Sequence, residues 1–392
     1  MKCARLCPRL PRYLLLAIAL CGPVAAQDRP SSPGKGEVYK LDVKKAKRIE
    51  AVLTQEDRLL RPVIGFFLQA PRAPELPGQT NVSTNLEPNG VDGNEVSPLR
   101  RPIVTAKVTV DQLKDNLLSM RLKAKATMMT RELVVVASRE SGPAVAPLNK
   151  EARQEALYPS AMFDFQSAEV KRWIKSNGLN RAKSESEIDF ARRVFEAICK
   201  KYSHGYNLEV TPIWHTDTKS AISIDQWRAS LVSTKKEAHS AGLSVLFVSV
   251  LRASNIPARI LVGQWADDKK AAIGRGKPKY YVKAEFFAEN VGWVPADVGS
   301  AVQVKAEQGK PGSAAQAKAD REKLKYFGKD PGDFLCLHVD GELILEVLNK
   351  KVPMPFLTFV AAAPALVGLG LPPPPQSVVR RTEFSWKFRE IE

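Results

Sequence analysis

Apolar residues recur with helical spacing near the start of the chain. Between residues 27 and 68 they lie three, four or seven positions apart, and the run ends at Pro62: Val43, Ala46, Ile49, Leu53 and Leu60. One face of a helix repeats every three to four residues, so this spacing predicts an N-terminal helical segment. Residues 69–102 then carry Pro, Gly, Asn and Ser with few large apolar side chains, which predicts a linker.

Strand-like patterns dominate residues 103–160 and 301–392. In the first range IVTAKVTV, MRLKAKATM and RELVVVA alternate or carry β-branched runs, which predicts a small β-rich module. In the second, DFLCLHV and GELILEV flank Asp340-Gly341, a dipeptide typical of two-residue hairpins. We therefore expect a C-terminal β-rich extension, which ends in the strand TEFSWKF.

Residues 161–300 mix helical and strand patterns. Ser184 and Glu187 fit a capping box, and one helical face follows: Ile188, Ala191, Phe195, Ile198 and Tyr202. The run 241–254 is apolar almost all round and predicts a buried helix, with Ser240 as its N-cap. The segments ARILVGQWA, KYYVKAEFF and VGWVPA predict strands.

The first 26 residues have the composition of a secretory signal peptide. Basic residues precede a short apolar stretch, and small residues precede a cleavage site after Ala26. We therefore expect an exported protein of the periplasm or the extracellular space. A lipid anchor on Cys21 is the alternative, although Leu20 lacks the small side chain that such an anchor site requires.

Charge and cysteine content narrow the classes of partner. The chain has 59 Lys and Arg against 42 Asp and Glu, a formal net charge of +17. In an exported protein this excess favours contact with anionic envelope surfaces, and an effect on solubility alone is the alternative. The sequence has no recognised nucleic-acid-binding motif, so nucleic acid is not expected as a partner. Beyond the signal only Cys199 and Cys336 remain, which allows one disulfide at most.

Ordered motifs in residues 188–298 resemble the bacterial transglutaminase-like domain of the papain-like superfamily. In chain order they are FARRVFEAI, LSVLFVSVLRASNIPAR, YYVKAEFF and VGWVPAD. The resemblance implies an α+β fold, with a helix bundle packed on an antiparallel sheet, and a Cys-His-Asp catalytic triad. The three matching positions here hold Ser240, Tyr281 and Asp297.

Two of these positions have changed their chemistry. A hydroxyl is hardly ionised at neutral pH and needs a positioned base, whereas the phenol of Tyr281, with a reference pKa of about 10, is a poor proton acceptor. Removing a base that acts as a unit with its nucleophile costs on the order of a million-fold in rate. We therefore expect a silent centre in which Tyr281 hydrogen-bonds Asp297 or Ser240.

The histidines offer no replacement base in the sequence. His239 adjoins Ser240, but neighbouring residues at a helix start point in different directions. His204, His215 and His338 are isolated, so neither a metal site nor a cofactor is expected. Cys336 falls in a strand pattern that offers its thiol no activation.

The leading interpretation is a catalytically inactive binding or scaffold protein of the cell envelope. Its former substrate cleft would hold a polypeptide or peptidoglycan-like ligand between the three triad positions, Trp293 and His239. One alternative is an acyltransferase or peptidase-like hydrolase that uses Ser240 with an unrecognised base. Another is a structural envelope component that acts through its basic surface. The oligomeric state is left open.

Overall fold

The structure, a computed structural model, describes residues 37–137, 145–205, 227–266, 280–304, 313–347, 350–354, 360–365 and 378–392. The expected signal peptide, Cys21 and His215 lie outside these ranges. Helices and antiparallel sheets are both present, which confirms the α+β class. No helix in the described ranges has the length and apolar character needed to cross a membrane.

The elements divide into strands and short helices. The strands are β1 (Glu37–Leu59), β2 (Gly65–Pro71), β3 (Gln79–Glu87), β4 (Val91–Asn94), β5 (Pro102–Thr109), β6 (Leu117–Ala137), β7 (Ser203–His204), β8 (Glu237–Ala238), β9 (Ala258–Trp265), β10 (Tyr281–Ala288), β11 (Gly292–Ala296), β12 (Lys329–Asp330), β13 (Phe334–Val339), β14 (Leu343–Val347), β15 (Lys350–Met354), β16 (Ala361–Ala365) and β17 (Val379–Ile391). The helices are α1 (Lys150–Ala156), α2 (Ala168–Ser176), α3 (Glu187–Lys201), α4 (Ala229–Ser233), α5 (Ser240–Ala253), α6 (Val298–Gln303) and α7 (Ala314–Leu324).

One hydrophobic core surrounds helix α5. The antiparallel sheet β11-β10-β9-β13 packs one face against this helix, which is buried from Ala241 to Arg252 as its apolar sequence predicts. Helix α3 packs on the other side, where the Phe195 and Phe247 rings meet edge to face at 6.4 Å. The three strands predicted between residues 258 and 296 are confirmed as β9, β10 and β11.

A second core lies between two further sheets. The first has the order β12-β6-β1-β17 with β3 also on β6, and the second has the order β16-β2-β5-β4. Side chains from both ends of the chain fill this core, among them Leu53 of β1 and Trp386 of β17. The predicted last strand is confirmed, and it pairs with β1 along most of its length.

Two predictions for the first hundred residues are wrong. Residues 37–59 form strand β1 and not a helix, because Ile49, Ala51 and Leu53 are buried at every second position. Residues 69–102 are not a linker, because they contain β3 and β4, both paired in sheets. Their polar composition suits strands with one face in solvent: half-buried and exposed positions alternate along the middle of β3.

Two local predictions also need correction. Strands β13 and β14 do not pair with each other: β13 pairs with β9, and β14 pairs with β15. Asp340 has the positive φ of a turn, but its carboxylate accepts hydrogen bonds from the Arg252 guanidinium and the Ile260 backbone, which ties this point to α5 and β9. Helix α3 is capped by Ser186 and not by Ser184.

A buried ion network joins the two halves of the molecule. Arg131 of β6 is 2.7 Å from Glu285 of β10 and 2.9 Å from Asp330 of β12. Arg259 of β9 also pairs with Glu285, at 2.5 Å. The side chains of Arg131 and Glu285 are almost fully shielded from water, so the network fixes the α5-containing half against the long β1–β6 pair.

Candidate functional site

The site begins at the N-terminus of α5. Ser240 is the first residue of this helix, and His239 is its N-cap residue, with Nδ1 3.1 Å from the backbone nitrogen of Ala241. The prediction that Ser240 caps the helix is therefore wrong by one position. The Ser240 hydroxyl makes no hydrogen bond to any other residue that the structure describes, and the side chain is half-buried.

Tyr281 and Asp297 meet at the open end of the β10–β11 hairpin. Tyr281 is the first residue of β10, and Asp297 follows the last residue of β11. Tyr281 Oη donates to Asp297 Oδ1 at 2.7 Å, which confirms the bond expected between these two residues. The carboxylate is 5% exposed, so this bond is made away from bulk water.

Ser300 makes the remaining hydrogen bonds to the Asp297 carboxylate. Asp297 is the N-cap of α6, where Oδ1 accepts from the Ser300 backbone nitrogen at 2.9 Å. The Ser300 hydroxyl donates to Oδ2 at 2.8 Å and lies 3.0 Å from Tyr281 Oη. Sequence reasoning missed Ser300, although an Asp three residues before a Ser at a helix start is a readable capping pattern.

Gly299 brings Ser240 to this group. A Cβ atom placed on Gly299 would lie 2.5 Å from Tyr281 Oη and 2.6 Å from Ser240 Cβ. Only a residue without a side chain leaves room for both neighbours at this point. Ser240, Tyr281 and Asp297 thus meet around the start of α6, and Gly299 is the second residue of this group that sequence reasoning missed.

The protonation of Tyr281 excludes it as a base. Burial raises the pKa of its phenol well above 10, and the nearby Asp297 carboxylate raises it further. The hydroxyl therefore keeps its proton at neutral pH and donates a hydrogen bond to the carboxylate. Its ring packs 4.8 Å from Trp265 and 6.3 Å from Phe334, which holds the phenol in this position.

Of the histidines that the structure describes, His204 and His239 lie near this site, and His338 lies on strand β13. The Nε2 atom of His239 lies 2.5 Å from the Trp227 indole nitrogen and Nδ1 lies 3.1 Å from the Ala241 backbone nitrogen, so both ring nitrogens contact groups other than the Ser240 hydroxyl. Burial lowers the pKa of His239 to about 4, and the neighbouring His204 contributes. His204 lies on β7, opposite Ala238 of β8, and near enough to Asp297 for the carboxylate to influence its pKa.

Trp293 does not join this group. It pairs with Phe287 near the turn of the β10–β11 hairpin, whereas Tyr281 and Asp297 lie at the opposite, open end. Its ring packs under the Arg259 guanidinium at 3.8 Å, and its carbonyl faces Arg131 at 3.4 Å. The structure thus places Trp293 beside the buried ion network.

Cys199 lies on α3, whereas Cys336 and His338 lie on β13, where Cys336 belongs to a buried cluster that also contacts Tyr281. The two cysteines are free and buried, so the long-range disulfide allowed by the sequence is not formed. Burial raises the pKa of Cys199 to about 12 and raises that of Cys336 as well, which leaves both thiols protonated at neutral pH. Within the described ranges no three His, Cys, Asp or Glu side chains are grouped as metal ligands.

One family model matches the part of the chain that contains most of this site. Residues 176–298 match the family model of the transglutaminase-like superfamily. This segment is a transglutaminase-like domain. The match contains Ser240, Tyr281 and Asp297 and ends one residue after the acid. No curated protein matches the chain.

Several solved structures resemble a larger part of the chain, but only distantly. A candidate cysteine protease from Cytophaga hutchinsonii is 12% identical over 90% of this chain and 93% of its own, with a TM-score of 0.47. The periplasmic domain of TgpA from Pseudomonas aeruginosa is 10% identical over 72% and 94%, with a TM-score of 0.30. Red sea bream transglutaminase is 11% identical over 82% and 58%, with a TM-score of 0.25. Likenesses this distant carry no weight for function.

Proposed function

We propose that the transglutaminase-like domain is a binding module that does not catalyse acyl transfer. The observation that carries this proposal is the hydrogen bond from Tyr281 to Asp297. In a triad the acid orients an imidazole, which takes the proton of the nucleophile. Here the acid is engaged by a phenol that keeps its own proton, so Ser240 has no proton acceptor at the expected position.

The ligand that we propose is a polypeptide or a peptidoglycan-like envelope polymer. The half-buried Ser240 hydroxyl has no internal partner in the described part of the chain and is free to hydrogen-bond a carbonyl or amide group. Both ligand classes present such groups. The signal-like residues 1–26 support an encounter in the periplasm or outside the cell.

A fluorophosphonate probe tests the absence of catalysis. Because this reagent labels activated serine hydroxyls, we expect no labelling of Ser240 in the wild-type chain, and Ser240→Ala serves as the baseline. Labelling of the wild type that Ser240→Ala removes would show an activated nucleophile and would overturn the proposal.

Restoring the residues of the family tests whether the scaffold is still triad-like. In the double variant Ser240→Cys, Tyr281→His an imidazole adjoins the new thiol, so iodoacetamide should alkylate it faster at neutral pH than in Ser240→Cys alone. The background should be low, because Cys199 and Cys336 are buried and protonated. Equal rates in the two variants would contradict the triad geometry.

Binding is tested with purified peptidoglycan fragments and with unfolded polypeptide. We expect one of the two to bind the wild-type chain and Tyr281→Ala to weaken that binding, because the variant removes a wall of the site. Trp293→Ala serves as a comparison in the same assay, because Trp293 lies at the end of the β10–β11 hairpin opposite to Tyr281. If neither ligand binds, the binding part of the proposal is wrong.

One observation favours a serine-dependent hydrolase as the second candidate. His204 is a half-buried imidazole whose pKa is lowered by burial and is influenced by Asp297, so it is neutral and able to accept a proton at pH 7. As the base for Ser240 it would make labelling by the fluorophosphonate sensitive to His204→Ala. Loss of labelling in that variant would identify His204 as the base.

A further inference from the structure

Three large apolar side chains are exposed together at one end of the β sheets. Leu60, Ile64 and Val110 are 54%, 53% and 46% exposed. They come from two adjacent loops, because the Val110 backbone nitrogen donates to the Ile64 carbonyl at 3.1 Å and Leu59 bonds Asn116 at 2.8 Å. We call these two loops, residues 60–64 and 110–116, the apolar tip.

Exposed cations surround the apolar tip. Arg61 and Lys114 lie in its loops, and Arg58 and Arg380 lie on the strands that lead into it. None of the four forms an ion pair with another described residue. The exposed acids are Asp111 and Asp115 in the loops and Glu383 further along β17, so the four cations outnumber them.

Arg58 and Arg380 are directly opposed across the β1–β17 pair. Like charges at opposed positions of an antiparallel pair destabilise it. An external anion would relieve this repulsion, and a phosphate group can accept hydrogen bonds from both guanidinium groups. Arg58 and Arg380 would therefore be stabilised by a bound anion. They lie next to apolar side chains that are exposed to water.

Exposed apolar side chains beside unpaired cations match the boundary of an anionic lipid bilayer. Apolar groups gain free energy when they enter the acyl region, and Arg or Lys side chains gain by lying at the level of the phosphates. A soluble acidic polymer would attract the cations but would leave Leu60, Ile64 and Val110 in water. We propose that the apolar tip docks this protein onto an anionic phospholipid surface.

Vesicle co-sedimentation with the purified chain tests the proposal. The vesicles are equal parts phosphatidylglycerol and phosphatidylcholine, with pure phosphatidylcholine as the uncharged control. We expect Leu60→Ser, Ile64→Ser to weaken binding on the order of tenfold. Arg58→Ser, Arg380→Ser should weaken it on the order of fivefold for each charge removed, because each such cation contributes about that factor near the surface.

Matched substitutions elsewhere provide the controls. Val91→Ser removes a side chain that is 65% exposed on β4, and Lys318→Ser removes an exposed cation on α7. Neither should change binding. Circular dichroism and the thermal midpoint confirm that each variant folds, and binding through the signal-like residues 1–26 would persist in all of them.

Two outcomes would overturn the proposal. One is binding of phosphatidylglycerol vesicles that all tip variants retain, which would place the contact outside the apolar tip. The other is no vesicle binding together with a lower thermal midpoint in Leu60→Ser, Ile64→Ser. Absence of vesicle binding by the wild-type chain overturns the proposal whatever the thermal midpoint of the variant.

Discussion

His338 shows how one buried imidazole ties stability to pH. It is 2% exposed, and its Nδ1 atom donates to the Asp340 carbonyl at 2.7 Å. Burial lowers the pKa of His338 to about 3, and the charge of Arg101 acts in the same direction. The neutral ring therefore belongs to the folded state, whereas an unfolded chain would protonate it below about 6.5.

The sign of the pH effect follows from this difference. Between about pH 6.5 and 3 the unfolded state binds more protons, so the free energy of unfolding rises with pH and is lost on acidification. We expect a decline of up to about 1.4 kcal/mol per pH unit from His338. Urea unfolding at several pH values measures the slope, and His338→Gln should flatten it. An equal slope in the variant, or an NMR titration of His338 near pH 6.5, would contradict this prediction.

At the residue scale the sequence predicts contacts better than it predicts caps. The bond between Tyr281 and Asp297 is confirmed, because a phenol and a carboxylate at adjoining strand ends have few other partners. The cap of α5 is His239, although Ser has the stronger statistical preference. Ser184 and Ser186 both fit the same capping pattern, and only the helix start distinguishes them.

Helix α6 presents Gly299 as its tightest contact with the site. We expect Gly299→Ala to lower the free energy of unfolding by about 1–3 kcal/mol, because the added methyl overlaps Tyr281 Oη and Ser240 Cβ. Chemical denaturation measures the change. Gly93→Ala is the matched control, since its nearest neighbour would be 3.7 Å away, and it should change stability far less. A neutral Gly299→Ala would mean that α6 can move away from α5.

The side chains of β1 show why the sequence predicts a helix where the structure has a strand. Its buried positions alternate from Ile49 onward, but two of them, Gln55 and Asp57, are polar. Gln55 Nε2 donates to Asp57 at 3.0 Å and to the Val360 carbonyl at 2.9 Å, and Arg381 pairs with Asp57 at 3.1 Å. Such distant partners make polar residues acceptable in a core. These partners cannot be read from the sequence of β1 itself, where only the helical spacing of apolar residues is visible.

At the scale of the whole molecule, the Arg131 network decides how the two cores are joined. Arg131→Ala would leave Glu285 and Asp330 with fewer partners in a buried place. We expect a loss of about 3–5 kcal/mol, as for other broken buried ion pairs. Arg121→Ala is the control on the same strand, because its partner Glu87 is 3.9 Å away and both side chains are exposed. That variant should lose less than about 1 kcal/mol.

Denaturation of both Arg131→Ala and Arg121→Ala measures the difference. Equal stabilities would show that the two cores are held together by other contacts. Sequence alone could not predict this junction, because Arg131 is 154 residues from Glu285 and 199 from Asp330. Local patterns predict α5 and the strands beside it, whereas the long-range pairing of β1, β6 and β17 has no local signal.

The pairing of β1 with β17 also sets the order of events during biosynthesis. Arg48 near the start of the described chain bonds the carbonyl of Glu392, across 344 residues. Strand β1 is therefore synthesised long before β17, the strand with which it pairs. Until residues 379–391 have been synthesised, one edge of β1 has no partner, so this sheet cannot be completed before β17 is available.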